Sequence, residues 1–293
     1  MKQWQPIVEH IEQSTGEIFS VERQQSLAGG SINAAFLLTA DNAQSYFVKT
    51  NRCGQMAMFE AEAQGLQAIA SSETIRVPGV VCYGENQFNS YIVLEYLDMA
   101  GRANQQMLGE QLAAMHRCSA KQYGWFRDNT IGATLQPNDW TEKWLDFWRK
   151  HRLGFQLQLA AQKGYGGELQ KLGETLLQVM PKLFAGREIR PSMLHGDLWG
   201  GNVAGLKDAS PVIFDPAFYY GDRETDLAMT YVFGGFDPAF YASYQNAYPL
   251  DEGFAVRKTF YNIYHIINHL NLFGGGYREQ AISMMKQVLS EIN

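Results

Sequence analysis

In the segment LHGDLWGGNV a carboxylate, Asp197, stands five residues ahead of an amide, Asn202, and a second carboxylate, Asp215, closes the run PVIFD 18 residues after the first. One carboxylate can orient a hydroxyl and take its proton, while an amide and another carboxylate offer hard oxygen ligands to Mg²⁺. This is the equipment that transfer of a γ-phosphoryl group from ATP requires. Asp197 is therefore the candidate catalytic base, and Asn202 and Asp215 are the candidate metal ligands. Lys49 ends SYFVK and Glu62 lies in FEAEAQGL; a lysine held by a carboxylate can be aimed at the α- and β-phosphates. Glu62 is preferred to Glu60, which sits about 200° away around the same helix. LAGGSIN adds Gly29 and Gly30, where backbone N–H groups can approach phosphate unobstructed, and Ser31 with its hydroxyl. In VLEYL, the peptide groups of Glu95 and Leu97 could meet the edge of an adenine.

These residues need elements to hold them. Up to residue 97 the pattern is strand-rich: a short amphipathic helix near 4–13, alternating runs at 18–27, 32–39 and 45–49, a helix over 56–70, and strands at 80–84 and 91–97. This predicts a five-stranded antiparallel sheet with one main helix, carrying the nucleotide-binding residues in 1–97. From 98 to 293 helical periodicity dominates, over 104–118, 141–161, 166–184, 224–233, 253–270 and 278–291. NVAGL and PVIFD read as a small hairpin between them. The fold class is α+β, with the catalytic and substrate residues in the helical part. The spacing of Asp197 and Asn202 is that of H-R-D-x-x-x-x-N in protein kinases; D-F-G and A-P-E are absent, and Pro216-Ala217 follows Asp215.

The substrate side is read from Trp199, whose flat apolar face suits a sugar ring, and from DRETD. Asp222, Glu224 and Asp226 could meet a cationic amine or hold Arg223 in place; equally, acidic residues in the first turn of a helix could brace the catalytic loop. Trp140, Trp144, Phe147 and Trp148 share one helical face and read as core. His116, His265 and His269 form no metal motif.

GGSIN, FVKTN, FEAEAQGL, VLEYL, IGATLQPNDWTEKWLDFWRKHRL, LHGDLWGGN and FDPAFYYGDRETDLAMT together resemble the fructosamine kinase/ketosamine-3-kinase family, and run in order through most of the chain. The HGD-x-x-x-x-N element alone would fit the wider aminoglycoside phosphotransferase and choline kinase-like group; Trp199-Gly200-Gly201 and DPAFYYGDRETDLAM are more selective. The resemblance implies a bilobal protein-kinase-like fold. It also implies ATP-dependent phosphorylation of the sugar 3-hydroxyl of ketoamines, whether fructosamines or ribulosamines, small or protein-bound, as a deglycation activity. It assigns Asp197, Asn202, Asp215, Lys49, Glu62 and Gly29–Ser31 the roles given above. Some members carry cysteine where this chain has Ser31, associated with a disulfide between subunits; that bond cannot form here, so a monomer or a non-disulfide dimer is expected. The rivals are a kinase for an aminoglycoside, choline or a sugar, and a nucleotide-binding scaffold without turnover.

Composition narrows the field further. Of 293 residues 46% are hydrophobic and 18% charged, which fits a folded globular chain. The 24 Lys+Arg against 30 Asp+Glu give a net charge of −6, so nucleic acid is not expected as a partner. Cys53, Cys82 and Cys118 match neither a metal motif nor a disulfide framework. The first 20 residues carry Glu9, His10 and Glu12 where a signal peptide needs an apolar core, and no apolar run is long enough to span a bilayer. A cytoplasmic enzyme without membrane attachment is the expectation.

Overall fold

The computed structural model describes residues 3–27 and 32–292. Along the chain run helix α1 (Gln5–Thr15), strands β1 (Val21–Leu27), β2 (Ala34–Ala40) and β3 (Ser45–Asn51), helix α2 (Met56–Ser71), and strands β4 (Val80–Glu85) and β5 (Ser90–Glu95). Next come α3 (Gln105–Arg117), β6 (Asn129–Ile131), β7 (Thr134–Gln136), α4 (Trp144–Phe147), α5 (Gly154–Gln162) and α6 (Glu168–Val179). Four short strands follow, β8 (Ser192–Leu194), β9 (Val203–Gly205), β10 (Pro211–Ile213) and β11 (Tyr219–Gly221). Helices α7 (Glu224–Met229), α8 (Pro238–Ala247), α9 (Phe254–Phe273) and α10 (Tyr277–Ile292) complete the chain. Two compact units result: Met1–Asn104 with Ala204–Pro216, and Gln105–Val203 with Ala217–Asn293.

The first unit is built on an antiparallel sheet in the order β1-β2-β3-β5-β4. Alternation along β3 sends Tyr46 and Val48 into a core with Trp4, Ile7 and Ile11 at the N-terminal end of the chain, Leu38 of β2, and Tyr91 and Val93 of β5. Helix α2 covers the other face, burying Phe59, Ala63, Leu66 and Ile69. Because β5 is covered on both sides, Ser90 to Leu94 are all buried, which is why YIVL reads as a continuous apolar run. Lys49, on the α2 side of β3, pairs in register with Ala35 and Ile92. The returning segment 204–216, which the division at residue 97 places with the helical part, is tied tightly to this unit. Gly101 bridges Gly205 antiparallel and Arg76 bridges Val212 in parallel; a Cβ on Gly101 would lie 2.0 Å from the Leu206 carbonyl oxygen.

The second unit is helical around α9, which is buried on most of its circumference, with Phe260, Tyr261, Ile263, Tyr264, Ile266 and Ile267 all enclosed. Trp144, Phe147 and Trp148 are core, as their spacing implies, while Trp140 is 41% exposed and stacks near Tyr220. The expected helix over 141–161 is interrupted: residues Trp148–Leu153 form a π-helical turn between α4 and α5. Such a turn carries one extra residue per hydrogen-bonded ring, and no 3.6-residue pattern announces it. Helix α8 shows no clear helical period in the sequence, because its tyrosines and alanines mask the apolar stripe. It is started by Asp237, whose side chain accepts from the Ala239 N–H at 3.0 Å, with Pro238 in the first position. It packs closely on α3, where a Cβ on Gly109 would meet the Phe240 carbonyl oxygen at 2.5 Å.

Candidate active site

Within the first unit, the buried ammonium of Lys49 donates to Glu62 Oε1 at 2.7 Å and also to Asp215. Lys49 lies near the end of β3 and Glu62 lies two turns into α2, so strand and helix each deliver one partner, and Glu62 rather than Glu60 is the residue delivered. Burial opposes charge on Lys49, but Asp215 and Glu62 outweigh it and hold the ammonium above its ordinary pKa. Burial pushes Glu62 up, against the pull of Lys49. Asp215 is the more open partner, its side chain 46% exposed, on a backbone with φ +59°, a region non-glycine residues adopt at a cost.

Within the second unit, Asp197 lies on the loop after β8. Asn202 donates its amide to the Asp197 carbonyl oxygen at 2.9 Å and to its carboxylate at 3.3 Å. The amide nitrogen is thereby committed, and the amide oxygen is the atom left to meet a cation. His195, fully buried, accepts from the Asp197 N–H at 3.2 Å. Gly196 has φ +84°, and a Cβ there would lie 2.0 Å from the Ala217 carbonyl oxygen. Trp199 is half-buried, its ring lying over Gly201, where a Cβ would come within 2.2 Å of the indole; Phe233 meets the ring edge-on at 5.5 Å.

The DRETD cluster resolves into two roles. Asp226 accepts from the His195 and Gly196 N–H groups at 2.7 and 2.8 Å and pairs with His116 at 3.2 Å; His116 in turn meets the Tyr244 hydroxyl at 2.8 Å. Burial disfavours the Asp226 charge, but hydrogen bonds from His116 and the loop backbone hold its pKa below the usual range. Asp226 therefore braces the catalytic loop, as a helix-start acid can. Asp222 and Glu224, expected to meet substrate, occupy a different position: they are 1% and 0% exposed. Asp222 is paired with Arg187 and accepts from Tyr261 at 2.6 Å; Glu224 accepts from Arg257 at 2.7 and 2.9 Å and pairs with Arg187 at 3.0 Å. Their charge is spent on buried guanidinium groups, which a carboxylate at this depth requires, and the expectation of substrate contact gives way to a structural role.

Gly29, Gly30 and Ser31 lie outside the described residues. At Glu95 the backbone N–H donates to the Gly79 carbonyl oxygen at 2.7 Å, and the side chain is held by Arg76 and by the Gly79 N–H at 3.0 Å; Leu97, just beyond β5, is half-buried. Asp226, one of the acidic residues weighed between amine contact and loop bracing, takes the bracing position, and His116 is the supporting residue that sequence reasoning did not single out. The signal for Asp226 was its position in the first turn of a helix, and His116 had none. Among the described residues no three His, Cys, Asp or Glu side chains group to hold a metal by themselves, and no helix is long and apolar enough to cross a membrane.

A five-stranded antiparallel sheet carrying a Lys–Glu pair, followed by a mostly helical part carrying Asp-x-x-x-x-Asn, defines the protein-kinase-like class of phosphotransferases that act on a hydroxyl group. Solved structures agree. A fructosamine-3-kinase candidate from Haemophilus somnus is 30% identical with a TM-score of 0.88, covering 97% of this chain and 96% of that one. An ADP-bound aminoglycoside phosphotransferase, APH(2″)-Ib, shares the fold at 15% identity and a TM-score of 0.59, over 97% and 96% of the two chains. The family model described as fructosamine kinase matches residues 3–291, and the chain belongs to the fructosamine kinase family. Curated relatives include a protein named probable ketoamine kinase from Synechocystis, 48% identical over 98% of this chain and 97% of its own. Another is named protein-ribulosamine 3-kinase, chloroplastic, from Arabidopsis thaliana, 44% identical over 94% of this chain and 85% of its own.

Proposed function

We propose that this protein transfers the γ-phosphoryl group of ATP to the sugar 3-hydroxyl of a ketoamine, a fructosamine or ribulosamine carried on a small amine or on a protein side chain. Membership of the family and the names of the relatives support the substrate class. The observation that carries the reaction is the hold of Asn202 on Asp197, which fixes a carboxylate on a loop braced from beneath by Asp226. In this reading Asp197 accepts a hydrogen bond from the sugar hydroxyl and takes its proton as the new P–O bond forms and the bond to ADP breaks. Lys49, kept charged by its carboxylates, meets the α- and β-phosphates, and Glu62 keeps it aimed. Gly29 to Ser31 offer backbone N–H groups and a hydroxyl to the phosphates, and the peptide groups from Glu95 to Leu97 receive the adenine. Trp199 offers its face to the sugar.

The Asn202 amide oxygen and the Asp215 carboxylate suit Mg²⁺, a hard cation that takes one or two protein oxygens and completes its shell with phosphate and water. When bound, the ion neutralises charge that develops on the phosphates. We place the enzyme in the cytoplasm.

An ADP-release assay over fructosyl-lysine, ribulosyl-lysine, an aminoglycoside and choline, with the phosphate located on the product by NMR, tests the reading. Turnover should be confined to the ketoamines with phosphate on carbon 3. Asp197→Asn should lower kcat by about a thousandfold or more while nucleotide affinity stays within a few-fold. Preference for the aminoglycoside or choline, or undiminished turnover by Asp197→Asn, would overturn it.

A further inference from the structure

The segment IGATLQPNDW and the π-helical turn behind it have no part in the chemistry above, yet they hold a deeply buried chain of polar side chains. Arg152 is fully buried. It donates to the carbonyl oxygens of Pro137 and His151 at 2.7 and 2.9 Å and to Asn138 Oδ1 at 2.7 Å, and its guanidinium lies 3.9 Å from the centre of the Tyr219 ring. No carboxylate pairs with it among the described residues.

A guanidinium can only donate, and that fixes the direction of everything beyond it. Asn138 must turn its oxygen to Arg152, so its Nδ2 faces Asn129 Oδ1, at 2.9 Å. Asn129 must then turn its own Nδ2 outward, onto the Phe218 carbonyl oxygen at 2.8 Å. Gln136, whose Oε1 accepts from the Tyr264 hydroxyl at 2.8 Å, sends Nε2 to Asn129 Oδ1 at 2.8 Å and to the Ala217 carbonyl oxygen at 3.1 Å. Asn129, Gln136 and Asn138 are 6%, 1% and 0% exposed. Two branches, one from Arg152 and one from Tyr264, thus meet at Asn129 Oδ1 and end on the consecutive carbonyls of Phe218 and Ala217; Ala217, reached through Gln136, is the wall against which Gly196 is pressed, one residue before Asp197.

We propose that Gln136, Asn129, Asn138 and Arg152 are positioning residues for the catalytic loop: Gln136, held by Tyr264, donates to the Ala217 carbonyl and so sets the place of Gly196 and Asp197, while the series from Arg152 through Asn138 fixes Asn129, onto whose Oδ1 Gln136 also donates. This rests on the reading of Asp197 as the base. Burying a guanidinium without a carboxylate is costly; in return it orients Asn138 and Asn129, so that the Asn129 Oδ1 faces Gln136 as an acceptor.

The test is a double-mutant cycle on the full chain with fructosyl-lysine and ATP. Gln136→Met should lower kcat ten- to a hundredfold, leave KM for ATP within twofold, and produce no further loss in an Asp197→Asn background. Tyr264→Phe, which removes one hydroxyl and keeps the ring, should lower kcat three- to tenfold by the same route, and stands in if Gln136→Met fails to fold. An unchanged kcat in both variants, or a loss in Gln136→Met or Tyr264→Phe that multiplies fully with that of Asp197→Asn, would overturn the proposal. Undiminished turnover in Asp197→Asn alone would instead remove the assignment of the base, so the two failures are told apart.

Discussion

Gly196 has no space for a methyl group: its φ of +84° and the Ala217 carbonyl oxygen, 2.0 Å from an added Cβ, both exclude one. Gly196→Ala should therefore displace the loop that carries Asp197, lowering kcat by at least tenfold and costing about 1–3 kcal/mol of stability; steady-state kinetics beside a urea melt would show both. Gly201→Ala makes a contrasting case. Its Cβ would strike the Trp199 ring, a side chain that can swing, so KM for the ketoamine should rise several-fold with little change in melting temperature. At this scale the sequence was informative wherever chemistry demands a residue type. The Lys49–Glu62 pair and the Asp197–Asn202 contact were legible because a spacing of functional groups is a local property. For Asp222 and Glu224 substrate contact and a structural role stayed open alike, because nothing local in DRETD says that Arg187 and Arg257, 35 and 33 residues away, neutralise them.

Helix α7 is short, yet its first turn does two jobs: Glu224 anchors it to α9 through Arg257, and Asp226 grips the catalytic loop. Asp226 is almost fully buried and uses both oxygens as acceptors. Asp226→Asn turns one acceptor into a donor facing an N–H, and should cost about 2–4 kcal/mol, visible as a lower urea midpoint. Element boundaries were legible where one physical signal dominates. Alternation gave β1 to β5 to within a few residues, and α9 and α10 followed from their apolar stripes. The π-helical turn, the β6–β7 hairpin and α8 were not legible, because each is decided by contacts with distant chain: α8 by the close approach of α3 at Gly109, the turn by the burial of Arg152 against Tyr219.

At the scale of the whole molecule, acid sensitivity follows from the histidines that folding encloses. His265 is 4% exposed, and burial, with His269 beside it, lowers its pKa to about 3; burial lowers His116 as well. An unfolded imidazole titrates near 6.5, so below that pH the unfolded chain binds protons that the folded one does not. The contribution is whole above about pH 6.5 and is lost as pH falls from there towards 3, about 2 kcal/mol from His265 alone by pH 5. Urea midpoints at pH 7.5 and 5 should show the decline, and His265→Leu should flatten it. The acidic balance of −6 is consistent with phosphate being met by one lysine, backbone N–H groups and a cation rather than a basic surface.

The first unit also sets a schedule for synthesis. Its sheet is complete by Asn104, but the carboxylate of Asp215 and the strand segment that bridges Arg76 arrive only with residues 204–216. At about 5–20 residues per second, a ribosome needs on the order of ten seconds to supply them. During that interval the Lys49 ammonium has Glu62 alone for a partner, and the edges at Arg76 and Gly101 stay unpaired. A nascent chain stalled with residue 104, but not residues 204–216, clear of the exit tunnel should therefore be cut by protease at these edges, and one stalled with residue 216 well clear of it should resist, so the nucleotide-holding half matures only after most of the catalytic half has been made.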